Sequence, residues 1–189
     1  MQILIIAGPN GAGKSTLAKE ILPAEIEYVN PDTIAKKIGD KSRAGMLKAG
    51  RLAIKRRKEL ALSKVSFAIE TTLSSKNELL KFLKQEKTNG YYINLLFIWL
   101  KTSDLSLERV KERVLSGGHD IPTEDLKRRH HRSLFNFMMY YSKIAHRWAF
   151  YDNSEKASLL VAECIEGKKR IFNETEWEKL EESVKCVVD

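Results

Sequence analysis

Apolar and polar positions alternate along this chain in blocks. Five short stretches rich in Ile, Leu, Val or Phe stand out, at residues 2–7, 25–29, 65–69, 93–100 and 158–165. Their lengths and continuous apolar character predict strands covered on both faces. Helical patterns separate them. One follows the first stretch and stops near Pro23, a long one runs over 44–63, and another follows Ser75 and ends at the Asn89-Gly90 turn. Strands alternating with helices predict βαβ units around a parallel sheet. Gly167-Lys168 predicts a hairpin turn into 170–172, and Thr175 with Glu178 predicts a capping box that opens a last helix.

Residues 105–149 have a different pattern. Leu107, Val110 and Val114 fall on one helical face, and Arg109 and Arg113 form an i, i+4 pair on another. Gly117-Gly118 ends that helix, and Ile121-Pro122-Thr123 starts the next, with Glu124 and Asp125 in its first turn. The second helix carries Arg128, Arg129 and Arg132. Two helices, a glycine hinge and clustered arginines predict a movable lid. No repeat, low-complexity run or linker divides residues 1–189, so a single domain is expected.

The junction of the first strand and first helix reads Gly8, Pro9, Asn10, Gly11, Ala12, Gly13, Lys14, Ser15, Thr16. This is the G-x-x-x-x-G-K-S spacing of a P-loop in its strand–loop–helix setting. Glycines let backbone N–H groups converge on phosphate oxygens, and the helix N-terminus adds partial positive charge. Lys14 is expected to reach the β- and γ-phosphates, and the Ser15 hydroxyl to sit on Mg²⁺. No guanine-reading N-K-x-D motif appears, which favours ATP. Leu115-Ser116-Gly117-Gly118 imitates the signature of transporter ATPases. His119 in place of Gln, Pro122 in the following helix and the absence of a nearby Walker B run oppose that reading.

Polar residues cluster where strands end, which is where open α/β sheets bind ligands. Asp32, in Val29-Asn30-Pro31-Asp32, is placed either to accept a hydroxyl proton or to cap the helix that follows. Glu70, Thr71 and Thr72 close the third strand, with Ser74 and Ser75 beyond. They suit a hydroxylated acceptor, Mg²⁺ held through water, or capping of the next helix. Arg113, Arg128, Arg129 and Arg132 are candidate phosphate clamps. His119 in the hinge either binds phosphate or shapes the turn. Adjacent His130 and His131 diverge by about 100° on a helix, so no zinc site is expected. Tyr151-Asp152-Asn153-Ser154 lies where small kinases meet adenine, or is an ordinary turn.

These elements together resemble the zeta toxin-like P-loop kinases: residues 8–16, Asn30-Pro31-Asp32, Glu70-Thr71-Thr72-Leu73, and Gly117-Gly118-His119-Asp120-Ile121-Pro122 followed by Arg128-Arg129 and Arg132-Ser133-Leu134. The resemblance implies a three-layer α/β P-loop NTPase fold with a mostly parallel five-stranded sheet and a helical, arginine-bearing lid. It implies ATP and Mg²⁺, and phosphorylation of a small acceptor, which in zeta toxins is the 3′-hydroxyl of UDP-N-acetylglucosamine. It makes Asp32 the general base, with Arg113 and Arg128 or Arg129 stabilising the transferring phosphoryl. Glu70 and Thr72 would contact the acceptor, with Arg132 and His119 beside them. Neither toxicity nor an antitoxin-like protein partner follows from these residues.

The 189 residues carry a net charge of +8, with 43% hydrophobic and 31% charged residues. That composition suits a globular domain with a sizeable core, and the charge suits an anionic partner. Lys48, Arg51, Lys55, Arg56, Arg57 and Lys58 form a basic run that raises a second reading, a polynucleotide or RNA kinase. Aromatic residues are not interleaved with that run as base stacking requires, which argues against nucleic acid. A non-catalytic ATP-binding switch is the third reading. No apolar run reaches the ~20 residues of a membrane span. Cys164 and Cys186, without metal or redox spacing, predict free thiols in a reducing cytoplasm.

Overall fold

The computed structural model describes residues 1–40, 42–115 and 121–185. The chain runs β1 (Gln2–Ala7), α1 (Lys14–Ile21), β2 (Glu27–Val29), α2 (Pro31–Ile38), α3 (Arg43–Leu62), β3 (Phe67–Thr71) and α4 (Asn77–Thr88). It continues through β4 (Tyr92–Trp99), α5 (Ser103–Leu115) and α6 (Thr123–Asn136). A π-helical turn (Phe137–Tyr141) then leads into α7 (Ser142–Ile144), β5 (Arg147–Asp152), β6 (Leu159–Ile165), β7 (Lys168–Ile171) and α8 (Glu174–Lys185).

The strands form one mixed sheet of seven in the order β2-β3-β1-β4-β5-β6-β7. The first five in that order pair in parallel, and β6 and β7 pair antiparallel. The five-stranded expectation is therefore corrected in two ways. The fifth parallel strand is Arg147–Asp152, within and just beyond the segment read as a lid, while the stretch at 158–165 forms an antiparallel sixth strand. The physical reason is burial: Trp148 and Phe150 stand on the main core, Trp148 stacked on Trp177 and both rings packed against Phe137. The lid reading shrinks accordingly, because Leu134, Phe137 and Tyr141 are also core residues. The capping box is corrected too. Asn173, not Thr175, caps α8, accepting from the Glu176 amide at 3.1 Å.

Helices cover both faces of the sheet, unequally. On one face α1 packs Ala18 against Ile6, Ile98 and Leu100, with Leu105 of α5 at the margin. On the other, α3, α4, the end of α6 and α8 bury a larger cluster around Phe67, Leu83, Phe97, Phe137 and Phe150. Phe97 sits at its centre, with ring centroids 4.5 Å from Phe137 and 5.2 Å from Phe150. Burying one such ring contributes about 1.5–3 kcal/mol. A third, small cluster of Val110, Ile121 and Leu126 joins α5 to α6. The parallel strands all direct their carboxyl ends to one edge of the sheet, where the polar end of β3 meets the loops that follow β1 and β2.

Among the described residues, no helix is long and apolar enough to cross a membrane. Cys164 is a free thiol, and Cys186 lies outside the described residues.

Candidate active site

The loop from Gly8 to Gly13 is shaped by neighbours that leave no room for a side chain. A Cβ on Gly8 would lie 2.0 Å from the Ile98 carbonyl oxygen at the end of β4. Gly13 caps α1 in the left-handed region, φ 89°, where a Cβ would also meet Asn153 at 2.9 Å. No side chain caps α1, the arrangement in which a helix N-terminus receives an anion.

Lys14 is only 6% exposed, and its Nζ donates to the Pro9 carbonyl at 2.8 Å. Burial lowers its pKa, while the nearby carboxylates of Glu70 and Asp32 oppose that effect and Arg113 reinforces it. Those influences define one electrostatic cluster: Lys14, Glu70, Asp32 and Arg113.

Glu70 is held by three donors on a single oxygen. Its Oε2 accepts from Ser15 Oγ at 2.8 Å, from Asn30 Nδ2 at 2.9 Å, and from the Tyr28 hydroxyl in a short hydrogen bond. The sheet places it there, because Glu70 pairs beside Ile6, just ahead of the loop. Burial and the Glu70 charge push the Tyr28 phenol far above its usual range, so Tyr28 remains a donor.

The two readings of Asp32 separate cleanly. Asn30 caps α2, its Oδ1 accepting from the Asp32 and Thr33 amides at 2.8 and 3.4 Å. The Asp32 carboxylate is thereby left half-exposed, with Oδ2 3.9 Å from Arg113 Nη1. Thr72 turns to its own loop, where Oγ1 shares a hydrogen bond with Ser74 Oγ at 2.8 Å.

The arginines divide. Arg113 joins the loop cluster. Arg128 instead pairs within its own helix, donating to Asp125 at 2.6 Å, and Arg129 adds to the positive field on the same carboxylate. Arg132 lines a separate cavity among α4, α6 and α8. His119 and Gly117-Gly118 lie outside the described residues.

Of the residues that reach the loop, Ser106 escaped the sequence reading, Arg109 was read only as the i, i+4 partner of Arg113, and Asn153 fell in the 151–154 turn already read as a candidate contact. Arg109 approaches the loop closely: a Cβ on Gly11 would sit 3.2 Å from Arg109 Cβ, and Arg109 Nη2 donates to the Ser154 carbonyl at 3.2 Å. Ser106 donates to the Asn10 carbonyl in a short bond, fastening α5 to the loop. Asn153 donates to the Ala12 carbonyl at 3.0 Å, which brings the 151–154 turn against the loop. The i, i+4 pairing of Arg109 with Arg113 was the available signal. The bonds of Tyr28 and Asn30 to Glu70 carried no local signal, because their partner lies 42 and 40 residues away.

Two cations of the basic run on α3 are neutralised by close carboxylates. Arg56 bonds both oxygens of Glu27 at 2.6 and 2.7 Å, and Arg57 pairs with Glu78 while lying 4.9 Å over the Phe82 ring.

Residues 3–133 match the family described as AAA domain, and the chain belongs to it. An uncharacterized protein of Haemophilus influenzae is 34% identical over 128 residues, covering 67% of this chain and 91% of its own length. Among solved structures, a chain of the AvrRxo1-ORF1:ORF2 complex with ATP superposes with a TM-score of 0.78 at 20% identity over 95% of this chain. This chain spans 63% of that chain's length. A chain of the PezAT toxin–antitoxin system of Streptococcus pneumoniae superposes with a TM-score of 0.59 at 16% identity, covering 100% of this chain and 87% of its own. At these identities the shared property is the fold.

Proposed function

We propose that this chain is an ATP-dependent kinase of a single domain that moves the γ-phosphoryl group to a hydroxyl of a small acceptor. The observation that carries this reading is the meeting of Lys14, Glu70, Asp32 and Arg113 at the mouth of the loop. A solved structural relative with ATP supports the choice of nucleotide.

Each side chain has a task in that reaction. Backbone amides of residues 8–16 and the Lys14 ammonium hold the β- and γ-phosphates. Asp32 accepts the acceptor's hydroxyl proton as its oxygen bonds to phosphorus and the β–γ bridging bond breaks, releasing ADP. Arg113 neutralises charge spread over the transferring group, and Arg109 secures the nucleotide side of the loop. The paired hydroxyl of Ser15 and carboxylate of Glu70 are hard oxygen donors that suit Mg²⁺. Bound there, the ion would screen phosphate charge. Closure of the helices carrying Arg113, Arg128 and Arg129 would exclude water. A sugar nucleotide is the favoured acceptor class, with UDP-N-acetylglucosamine the first compound to assay, contacted from the Thr72 side. The pairing of Arg56 with Glu27 and of Arg57 with Glu78 takes those two cations from the RNA reading.

A metabolite-pool assay with γ-labelled ATP tests this directly. Label is expected in one small compound, and Asp32→Asn is expected to slow its appearance by at least about 10²-fold. Full transfer by that variant would remove Asp32 as base. ATP binding without labelling of any compound would leave the switch reading instead.

A further inference from the structure

The segment that follows Glu70 is held by a part of the chain far from it in sequence. Leu73 has a left-handed backbone, φ 53°, and its side chain is buried. Outside glycine that conformation costs free energy and persists where neighbours enforce it. Half-buried Thr72 and Ser74 flank it, their hydroxyls joined at 2.8 Å. One restraint is local, the Leu73 amide donating to Thr71 Oγ1 at 3.1 Å.

Two further restraints come from the end of α6. Asn136 is 6% exposed, and its Nδ2 donates to the Leu73 carbonyl at 2.5 Å across 63 residues of sequence. Tyr141 is fully buried, and its hydroxyl donates to the Ser75 carbonyl at 2.9 Å across 66 residues. The two bonded carbonyls bracket Ser74.

The π-helical turn makes both ties possible. Residues five apart on a regular α-helix diverge by about 140°, so Asn136 and Tyr141 would not face one segment. Here the Ser142 amide donates to the Phe137 carbonyl, five residues back. That wider turn brings residue 141 round toward the side of residue 136. Phe137, beside Asn136, is fixed in the core with its ring 4.5 Å from that of Phe97. Turns of this kind are frequent at functional sites.

We propose that Asn136 and Tyr141 are positioning residues for the phosphoryl acceptor. They hold Leu73 in its left-handed conformation, and so fix the Thr72 and Ser74 hydroxyls as a pair, just beyond Glu70, that hydrogen-bonds the acceptor. Each hydroxyl both donates and accepts, which matches a polyhydroxylated compound. This role rests on the kinase reading above. It gives the acceptor side of the site to the π-helical turn and leaves the nucleotide side to residues 8–16.

Steady-state transfer from γ-labelled ATP to UDP-N-acetylglucosamine, or to a small-molecule extract at graded dilution, tests it. Tyr141→Phe removes only a hydroxyl and should raise the acceptor KM, or the extract concentration giving half the maximal rate, about fivefold. Asn136→Ala should raise it about tenfold or more. In both, the KM for ATP and ATP hydrolysis without acceptor should change less than about twofold. Ser142→Ala removes a hydroxyl of the same region that bonds the Met138 carbonyl instead, and should leave the acceptor KM unchanged. Should Asn136→Ala fail to fold, Tyr141→Phe decides. Equal losses toward acceptor and ATP would make both residues mere structural supports and overturn the proposal. An unchanged acceptor KM in Tyr141→Phe would overturn it as well, with transfer by the wild type leaving the kinase reading intact. No labelled compound from the wild type would fail the kinase reading itself, and this role with it.

Discussion

The loop half of the candidate site and the arginine-bearing half are held in opposite ways. Around the loop, Glu70 is fixed by three donors, Lys14 is buried against a carbonyl, and Asn30 both caps α2 and orients Glu70. Along α5 and α6, Arg109 bonds Ser154, Arg113 faces Asp32 and Arg128 turns to Asp125, and among the described residues those on α5 are the arginines that reach the loop. The difference shows that preorganisation comes from the sheet. Strand ends set side chains by backbone register, whereas a helix on a small apolar cluster sets them only by its rotation.

The largest effect should expose that division. Arg113→Ala is expected to lower kcat by about 10³-fold, as for other arginines that stabilise a transferring phosphoryl group. Arg128→Ala, which removes an exposed pair with Asp125, should change it less than about threefold. Comparable losses in steady-state assays would mean that α6 closes onto the loop as fully as α5, and the contrast would vanish.

Acid should separate the halves next. Burial pushes His130 down to about 4 from an ordinary 6.5. The unfolded chain therefore binds the proton first as pH falls, so this contribution to stability is complete above about 6.5 and lost as pH drops toward 4. The full loss is on the order of 3 kcal/mol. Melting temperature against pH checks the slope, and His130→Gln should flatten it. Amide exchange should show α6 opening before β1 and α1; simultaneous opening would contradict separate anchoring.

The smallest effect concerns the loop half alone. Tyr28→Phe removes one donor from Glu70 while Ser15 and Asn30 remain. Transfer should fall about tenfold with nucleotide affinity nearly unchanged, since Tyr28 acts through Glu70. An affinity loss as large as the rate loss in single-turnover measurements would give Tyr28 a direct part in nucleotide binding.

Legibility followed the range of the interactions. Residues 8–16 were readable because strand, loop and helix are consecutive, and the glycine requirements arise within that span. The positions of Asp32 and Glu70 were readable as strand-end carboxylates. The role of Asn30 was not, because capping α2 instead of Asp32 depends on a two-residue shift of the helix start. β5 was hidden because its six residues begin with an arginine and three of them fall inside the 105–149 segment read as a helical lid.

Local chemistry alone thus specified the phosphate-binding loop, the alternation of strands and helices, and two carboxylates at the sheet's edge. Tertiary packing decided that Arg147–Asp152 completes the parallel set, that Arg113 faces Asp32 while Arg128 turns to Asp125, and that Arg132 and His130 border a cavity of their own. The physical reason is that a period of 3.6 residues tells which side chains share a helix face. The direction of that face is set by side chains buried between distant segments, here Val110, Ile121 and Leu126 for α5 and α6 and the Phe97–Phe137–Phe150 stack beneath them.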